Sequence, residues 1–152
     1  MKKTLLVTIF SIVIFTANAQ DYKNSLGLAF GSPSGISFKT FLNESKALDF
    51  TVGGFSHYYV VTGLYEIHAP LSDDFKWYYG IGAHIGSWYG GNYGEGAFLG
   101  GDGVIGLELK PHDIPVAFSL DVRPAVNVIG NEWDEVHHWW WWQSQLSVRY
   151  TF

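Results

Sequence analysis

Two neighbouring histidines, His137 and His138, follow Asp134 and Glu135, and imidazoles beside carboxylates are the donors of a zinc or related transition-metal site. The spacing works against that use. Adjacent residues of an extended chain point to opposite faces, so one ion collects all four only where a loop curls around it. No metal site is expected. Ser56-His57, and His84 near Ser87, offer hydroxyl and imidazole for acyl transfer, a chemistry that also needs an acid to orient the imidazole. No spacing lines up serine, histidine and acid toward one surface, so no catalytic residue is assigned. The glycine-rich run 90–96 is not a phosphate loop, because neither a helix nor a Lys-Ser/Thr pair follows it. No cofactor is expected.

The ionic residues make a second constellation. Lys39, Asp49, Glu66, Asp102, Glu108, Asp121, Arg123 and Arg149 all lie within short segments of period two, and all share a face with glycine, alanine and serine. Eight such segments run near 24–31, 35–42, 47–55, 57–68, 75–86, 101–110, 115–128 and 140–152. The seventh is the clearest. Val116, Phe118, Leu120, Val122, Val126 and Val128 alternate with Ala117, Ser119, Asp121, Arg123, Ala125 and Asn127. The eighth sets Leu146, Val148, Tyr150 and Phe152 against Gln145, Ser147, Arg149 and Thr151. The fourth and sixth are less clean, since Val60, Leu64 and Val104 fall on the polar face.

Alternation does not say which face points inward, but volume does. The apolar faces carry about thirty mostly bulky side chains, whereas an eight-stranded barrel has a bore just wide enough to be filled by side chains. They do not fit inside. The other faces, rich in Gly, Ala and Ser with a few opposed charges, suit a narrow lumen. They do not resemble a solvated sheet surface, which carries long Lys and Glu chains. The expected fold is therefore all-β: an eight-stranded antiparallel up-and-down barrel, apolar face outward into lipid, where closure satisfies every backbone N–H and C=O. A soluble lipocalin-like barrel or sandwich is the weighed alternative. Charged residues make up 15% of the chain and hydrophobic ones 47%, against about 25% charged in an average soluble domain, which favours the lipid reading. Buried charges must pair, so the inward set is expected to form a salt-bridge network that fills the lumen and leaves no pore.

Residues 1–19 carry Lys2 and Lys3, then an apolar run, then Ala17-Asn18-Ala19. That pattern reads as a secretory signal peptide, leaving 20–152 as one barrel domain. Loss of Lys2 and Lys3 takes the formal net charge from −5 to −7, and an acidic chain is a poor partner for nucleic acid. The absence of cysteine excludes a disulfide scaffold, an N-terminal lipid-anchored cysteine and thiol catalysis. With the N-terminus on the periplasmic side, the connections 43–45, 69–74 and 111–113 fall there and are short, while 87–100 and 129–139 fall outside and are long. That is the usual asymmetry of outer-membrane barrels. An even number of strands returns the C-terminus to the periplasm. Trp140 and Trp142 are expected at the outer lipid boundary and Trp77 and Tyr79 at the inner one, because indole and phenol rings favour that interface. Trp88, Tyr89, Tyr93, Trp133, Trp139 and Trp141 offer an external surface for a partner or glycan.

The terminal Arg149-Tyr150-Thr151-Phe152, with Leu146, Val148 and Tyr150 at alternate positions, resembles the end of the small outer-membrane β-barrels of Gram-negative bacteria, the OmpA/OmpX-like class. The stretches 78–86, 103–108 and 119–125 look like a subgroup described only as outer membrane proteins, and the resemblance spans the mature chain. It implies recognition of Leu146, Val148, Tyr150 and Phe152 by the barrel-assembly machinery. It also implies a monomer among outer-membrane lipids, serving envelope structure or surface interaction. Some barrels of similar architecture modify lipid A or phospholipid acyl chains, which keeps a lipid-modifying enzyme as the alternative, with a small-solute channel third.

Overall fold

The structure, a computed structural model, describes residues 22–89, 96–129 and 140–152, without the side chains of Phe55, Trp140 and Trp141. The chain folds into β1 (Asn24–Gly31), β2 (Ser34–Asn43), β3 (Lys46–Phe55), β4 (Tyr58–Pro70), β5 (Phe75–Trp88), β6 (Gly96–Leu109), β7 (Val116–Ile129) and β8 (Trp140–Thr151). Each strand pairs antiparallel with the next, and β8 returns to β1 to close the barrel. At the closing seam Asn24 N–H donates to Phe152 O at 2.9 Å, and Phe152 N–H donates back to Asn24 O at 2.8 Å. Closure leaves no sheet edge.

The period-two pattern explains why these segments extend and which side each residue takes. Ser37 and Lys39 on β2, Asp49 and Thr51 on β3, Thr62, Glu66 and His68 on β4, and Ser147, Arg149 and Thr151 on β8 are all buried. Leu28, Ile36, Val52, Val61, Ile81, Ile105, Leu120 and Leu146, one from each strand, are exposed on the outer wall. The molecule is thus polar inside and apolar outside.

One sequence expectation shifts. β6 begins at Gly96 rather than near 101, because β5 continues to Trp88 and pairs Trp88 with Gly96; the run Gly96-Ala97-Phe98-Leu99-Gly100 is too rich in small residues to alternate visibly. The connection after β5 is therefore shorter than expected. The irregular faces of β4 and β6 also find an explanation. Val60, Leu64, Phe98 and Val104 do point inward, and Leu64 and Phe98 lie over glycines of β5: a Cβ on Gly82 would fall 2.7 Å from Leu64 Cδ2, and one on Gly86 would collide with Phe98.

Gly106 plays the same part for Tyr78. A Cβ there would sit 2.5 Å from Tyr78 Cζ and 2.7 Å from Asp121 Cβ. Gly106→Val is expected to displace the Tyr78 ring and cost about 1–3 kcal/mol, the usual range for overpacking. Equilibrium unfolding of the folded barrel in urea checks it, with Gly96→Val, where the added Cβ meets nothing within 4 Å among the described residues, as the neutral control. At the end of the barrel bearing the termini, the turns after β4 and β6 are tied together. Lys110 N–H donates to Asp74 O at 2.8 Å, and the His112 imidazole pairs with the Asp74 carboxylate.

Candidate functional site

Because inward parity recurs on every strand, closing the sheet places charges from distant parts of the chain face to face. Lys39 on β2 is the centre. Its Nζ lies 2.7 Å from Glu66 Oε2, 3.3 Å from Glu108 Oε2 and 3.7 Å from Asp49 Oδ2, and 4.3 Å from the centroid of the Tyr78 ring. Asp49 is the direct cross-strand neighbour of Lys39, yet Glu66, one strand further on, is closer. The curvature of the wall aims the lysine across the bore.

Arg149 on β8 donates Nη2–H to Asp49 Oδ2 at 2.7 Å, Nε–H to Ser37 Oγ at 2.8 Å and Nη1–H to Ser119 Oγ at 2.9 Å. Arg123 on β7 forks onto Asp121, Nε–H to Oδ1 at 2.7 Å and Nη2–H to Oδ2 at 3.1 Å. The Tyr78 hydroxyl donates to the same Asp121 Oδ2 at 2.7 Å. Forked guanidinium–carboxylate contacts are the strongest of the charged hydrogen bonds. Seven of the eight ionic residues singled out from the sequence therefore meet in one connected cluster. Asp102 stands apart, higher in the barrel. His84 Nδ1 lies 2.8 Å from its Oδ2, and His84 Nε2 lies 2.8 Å from Asn127 Oδ1.

Three participants were not singled out from the sequence. Tyr22 precedes β1, where no periodicity points to it; its hydroxyl donates to Glu108 Oε1 at 2.7 Å, and its ring meets Phe41 edge-on at 5.1 Å. His68 shares the inward parity of Glu66, two residues earlier, a signal that was available. Its Nε2 lies 3.0 Å from Glu66 Oε2 and its ring stacks on Tyr78 at 4.8 Å. Tyr78 lies on the inner face, but nothing in its spacing identifies it as the link between Lys39 and Asp121.

The interior holds Asp49, Glu66, Asp102, Glu108 and Asp121 against Lys39, Arg123 and Arg149, all essentially without solvent exposure. Isolated, each charge would cost several kcal/mol to bury; paired and hydrogen-bonded, the set becomes tolerable and geometrically exacting. Two of the carboxylates also carry a histidine partner, Glu66 with His68 and Asp102 with His84.

The other singled-out residues sit as follows. Trp77 and Tyr79 stack at 5.4 Å on the outer wall near the end bearing the termini. Trp142 faces outward and is exposed; Trp140 opens β8, and its side chain lies outside the described residues. Leu146 and Phe152 are exposed on the outer wall, Val148 and Tyr150 half-buried there, and the rings of Tyr150 and Phe152 stack at 6.3 Å. Ser56 Oγ and His57 Nδ1 are 2.8 Å apart in the exposed β3–β4 turn, with no carboxylate joined to them among the described residues. Ser87 donates to backbone carbonyls of Trp88 and Gly96 while His84 turns to Asp102 and Asn127, so the structure does not bring Ser87 and His84 together. Residues 1–19, the glycine-rich residues 90–95 and the segment 130–139, with Trp133, Asp134, Glu135, His137, His138 and Trp139, lie outside the described residues. Among the described residues no group of three or more His, Cys, Asp or Glu is placed to hold a metal ion.

Fold and interior together define a closed, antiparallel, eight-stranded meander barrel whose outer wall is apolar and whose core is ionic. No protein-family model, no curated protein and no solved structure matches the chain.

Proposed function

We propose that this chain is a non-catalytic outer-membrane β-barrel of a Gram-negative bacterium. In this reading it is an OmpA/OmpX-like monomer with both termini in the periplasm and a lumen sealed by its charge network. The observation that carries the reading is the inversion of the usual protein interior. Arg123, Arg149 and Lys39 are fully buried while Leu28, Ile36, Val52, Ile81, Ile105 and Leu120 are more than half or nearly half exposed. A contiguous apolar wall of that extent far exceeds the few hundred Å² that a water-soluble monomer usually exposes. Hydrocarbon is the solvent that such a wall suits, and a closed barrel is the β-form that hydrocarbon accepts. The exposed rings of Tyr79 and Trp142 lie toward opposite ends of the wall, where the two lipid boundaries would fall. The alternate Leu146, Val148, Tyr150 and Phe152 then form the assembly signal. The connections after β5 and β7, at the end away from the termini, become the external loops through which envelope structure or surface interaction is served.

Expression of the full chain in a Gram-negative host, followed by separation of inner and outer membranes, tests the placement. Recovery in the outer-membrane fraction, resistant to carbonate extraction, is the expected result; recovery in the soluble fraction overturns the reading. For the sealed lumen, planar-bilayer recordings are expected to show no sustained conductance steps. The lipid A acylation pattern of cells with and without the protein is expected to be the same.

A further inference from the structure

The eight seams of the barrel are not equally continuous. Between β4 and β5 the pairing runs unbroken from Tyr58↔Trp88 to Pro70↔Lys76, and between β5 and β6 from Phe75↔Leu109 to Trp88↔Gly96. The β6–β7 seam is interrupted twice. Pairing jumps from Leu99↔Ile129 to Gly100↔Asn127, which leaves Val128 unmatched. Further along, the register is unchanged from Asp102↔Ala125 to Ile105↔Val122, but the two pairs between them, Gly103 with Pro124 and Val104 with Arg123, drop out of the ladder. The same residues stay paired on their other sides, Gly103 with Ile81 and Val104 with Gly80, Arg123 with Gln143 and Pro124 with Trp142. The gap therefore lies between β6 and β7 and not within either strand; the other shift of register, between β2 and β3, falls at Phe41–Asn43 beside the turn.

Proline supplies no backbone N–H, and inside a sheet it is otherwise confined to edges and bulges. Here it sits in the middle of a wall strand. The ring leans toward Gly103, where an added Cβ would fall 3.2 Å from Pro124 Cγ. Only the short ladder Gly100–Asp102 with Ala125–Asn127 remains between the two interruptions.

That short ladder is held from inside by a third strand. His84, on β5, reaches across β6 and contacts one side chain from each side of the seam: Asp102 on β6 and Asn127 on β7, both at 2.8 Å. The ring passes over Gly100, where a Cβ would stand 2.5 Å from His84 Cε1, and tilts against Phe98 with centroids 5.7 Å apart. Glycine at 100 is what lets the imidazole cross. On the outer wall β6 presents Gly101 and Gly103 at the interruption, beside Pro124 and Val126 of β7. Directly below, an apolar groove is lined by Trp77, Ile105, Leu107, Leu120 and Val122.

We infer that the β6–β7 seam is a lateral gate in the barrel wall, latched from within by the His84 bridge between Asp102 and Asn127. Opening requires the loss of that bridge and of a few ladder bonds, not unfolding, and it connects the apolar outer groove with the buried Asp102 carboxylate. The Oδ1 atom of that carboxylate has no hydrogen-bond partner among the described residues.

Amide hydrogen exchange of the full chain, folded in micelles and followed residue by residue by NMR, tests this. Exchange reads strand separation wherever the barrel is folded, so the result is independent of its cellular location. His84→Leu is expected to speed exchange of the Gly101 and Val126 amides, which point into the β6–β7 seam, about tenfold, the scale of one or two lost hydrogen bonds, while the Asp49 and Thr62 amides, which point into the β3–β4 seam, stay unchanged. Asn127→Ala, which removes only the β7 side of the bridge, is expected to move the same amides in the same direction. A disulfide between the facing outward positions Ile105 and Val122 (Ile105→Cys with Val122→Cys, oxidised) should return them to the slow rate in the His84→Leu background. Equal acceleration in every seam, or none at β6–β7, overturns the gate.

Discussion

Lys39→Met is expected to destabilise the barrel by about 3–5 kcal/mol, the cost of removing one partner from a buried ionic set and leaving the others uncompensated. Methionine matches the length of the lysine stem, so little packing is lost and the effect is electrostatic. Three carboxylates, Glu66, Glu108 and Asp49, lie within 3.7 Å of the ammonium nitrogen. Without it Arg149 is the nearby cation, bonded to Asp49 at 2.7 Å but 3.9 Å from Glu108. Among the described residues Glu66 keeps only His68, at 3.0 Å. Adding Glu66→Gln to Lys39→Met is therefore expected to recover a substantial part of the loss, because it removes the carboxylate closest to the missing charge. Equilibrium unfolding of wild type, both single variants and the double variant measures this as a double-mutant cycle. Additive effects would show that the two side chains are not coupled and that the cluster is not the keystone of the interior.

Ile81→Arg has the second largest expected effect, and it reports on the surroundings rather than the interior. Ile81 is 73% exposed on the outer wall, midway along β5, between Tyr65 on β4 and Gly103 on β6. In water a surface substitution of this kind changes stability by about 0.5 kcal/mol or less. At the midplane of a bilayer an arginine on the wall of a barrel costs about 2–4 kcal/mol. Folding into phosphatidylcholine vesicles, titrated with urea, is expected to give the larger figure. Leu42→Arg, at the rim of the same wall close to the β2–β3 turn, is expected to cost about 0–1 kcal/mol, as charges near the interface do. Equal costs at both depths would remove the lipid from the account.

The Lys39 cluster also bears on what the lumen is for. A water-filled channel needs mobile ions and open cross-section, whereas here forked Arg–Asp contacts, a lysine among three carboxylates and two tyrosines bonded to acids occupy the bore. Such a network holds its geometry only if every member is matched. That requirement explains why glycines are positioned opposite inward rings, Gly106 facing Tyr78, Gly86 facing Phe98 and Gly100 facing His84.

Much of this is legible in the sequence alone. The side taken by each residue of β7 and β8 follows from a period of two, because a strand has no other choice once one face is specified. That the apolar face points outward follows from volume, since about thirty large side chains exceed the bore of eight strands. The inward charges follow from the same parity. Where the pattern blurred, as at Val60, Leu64 and Val104, the cause was local. A narrow lumen accepts an apolar side chain wherever a glycine on the neighbouring strand makes room, and parity alone carries no information about the neighbour.

What stayed hidden was every relation across the lumen. Period two tells which face a residue occupies but not its height relative to residues on distant strands, because that height depends on the stagger accumulated around the whole circuit and settled only when β8 meets β1. Lys39 choosing Glu66 over its immediate neighbour Asp49, Tyr22 capping Glu108 from outside the strands, and His84 bridging Asp102 to Asn127 across a broken ladder are all consequences of that closure. Local alternation, written in the chain, chose inside and outside; the shear of the closed sheet, a property of all eight strands at once, chose the partners.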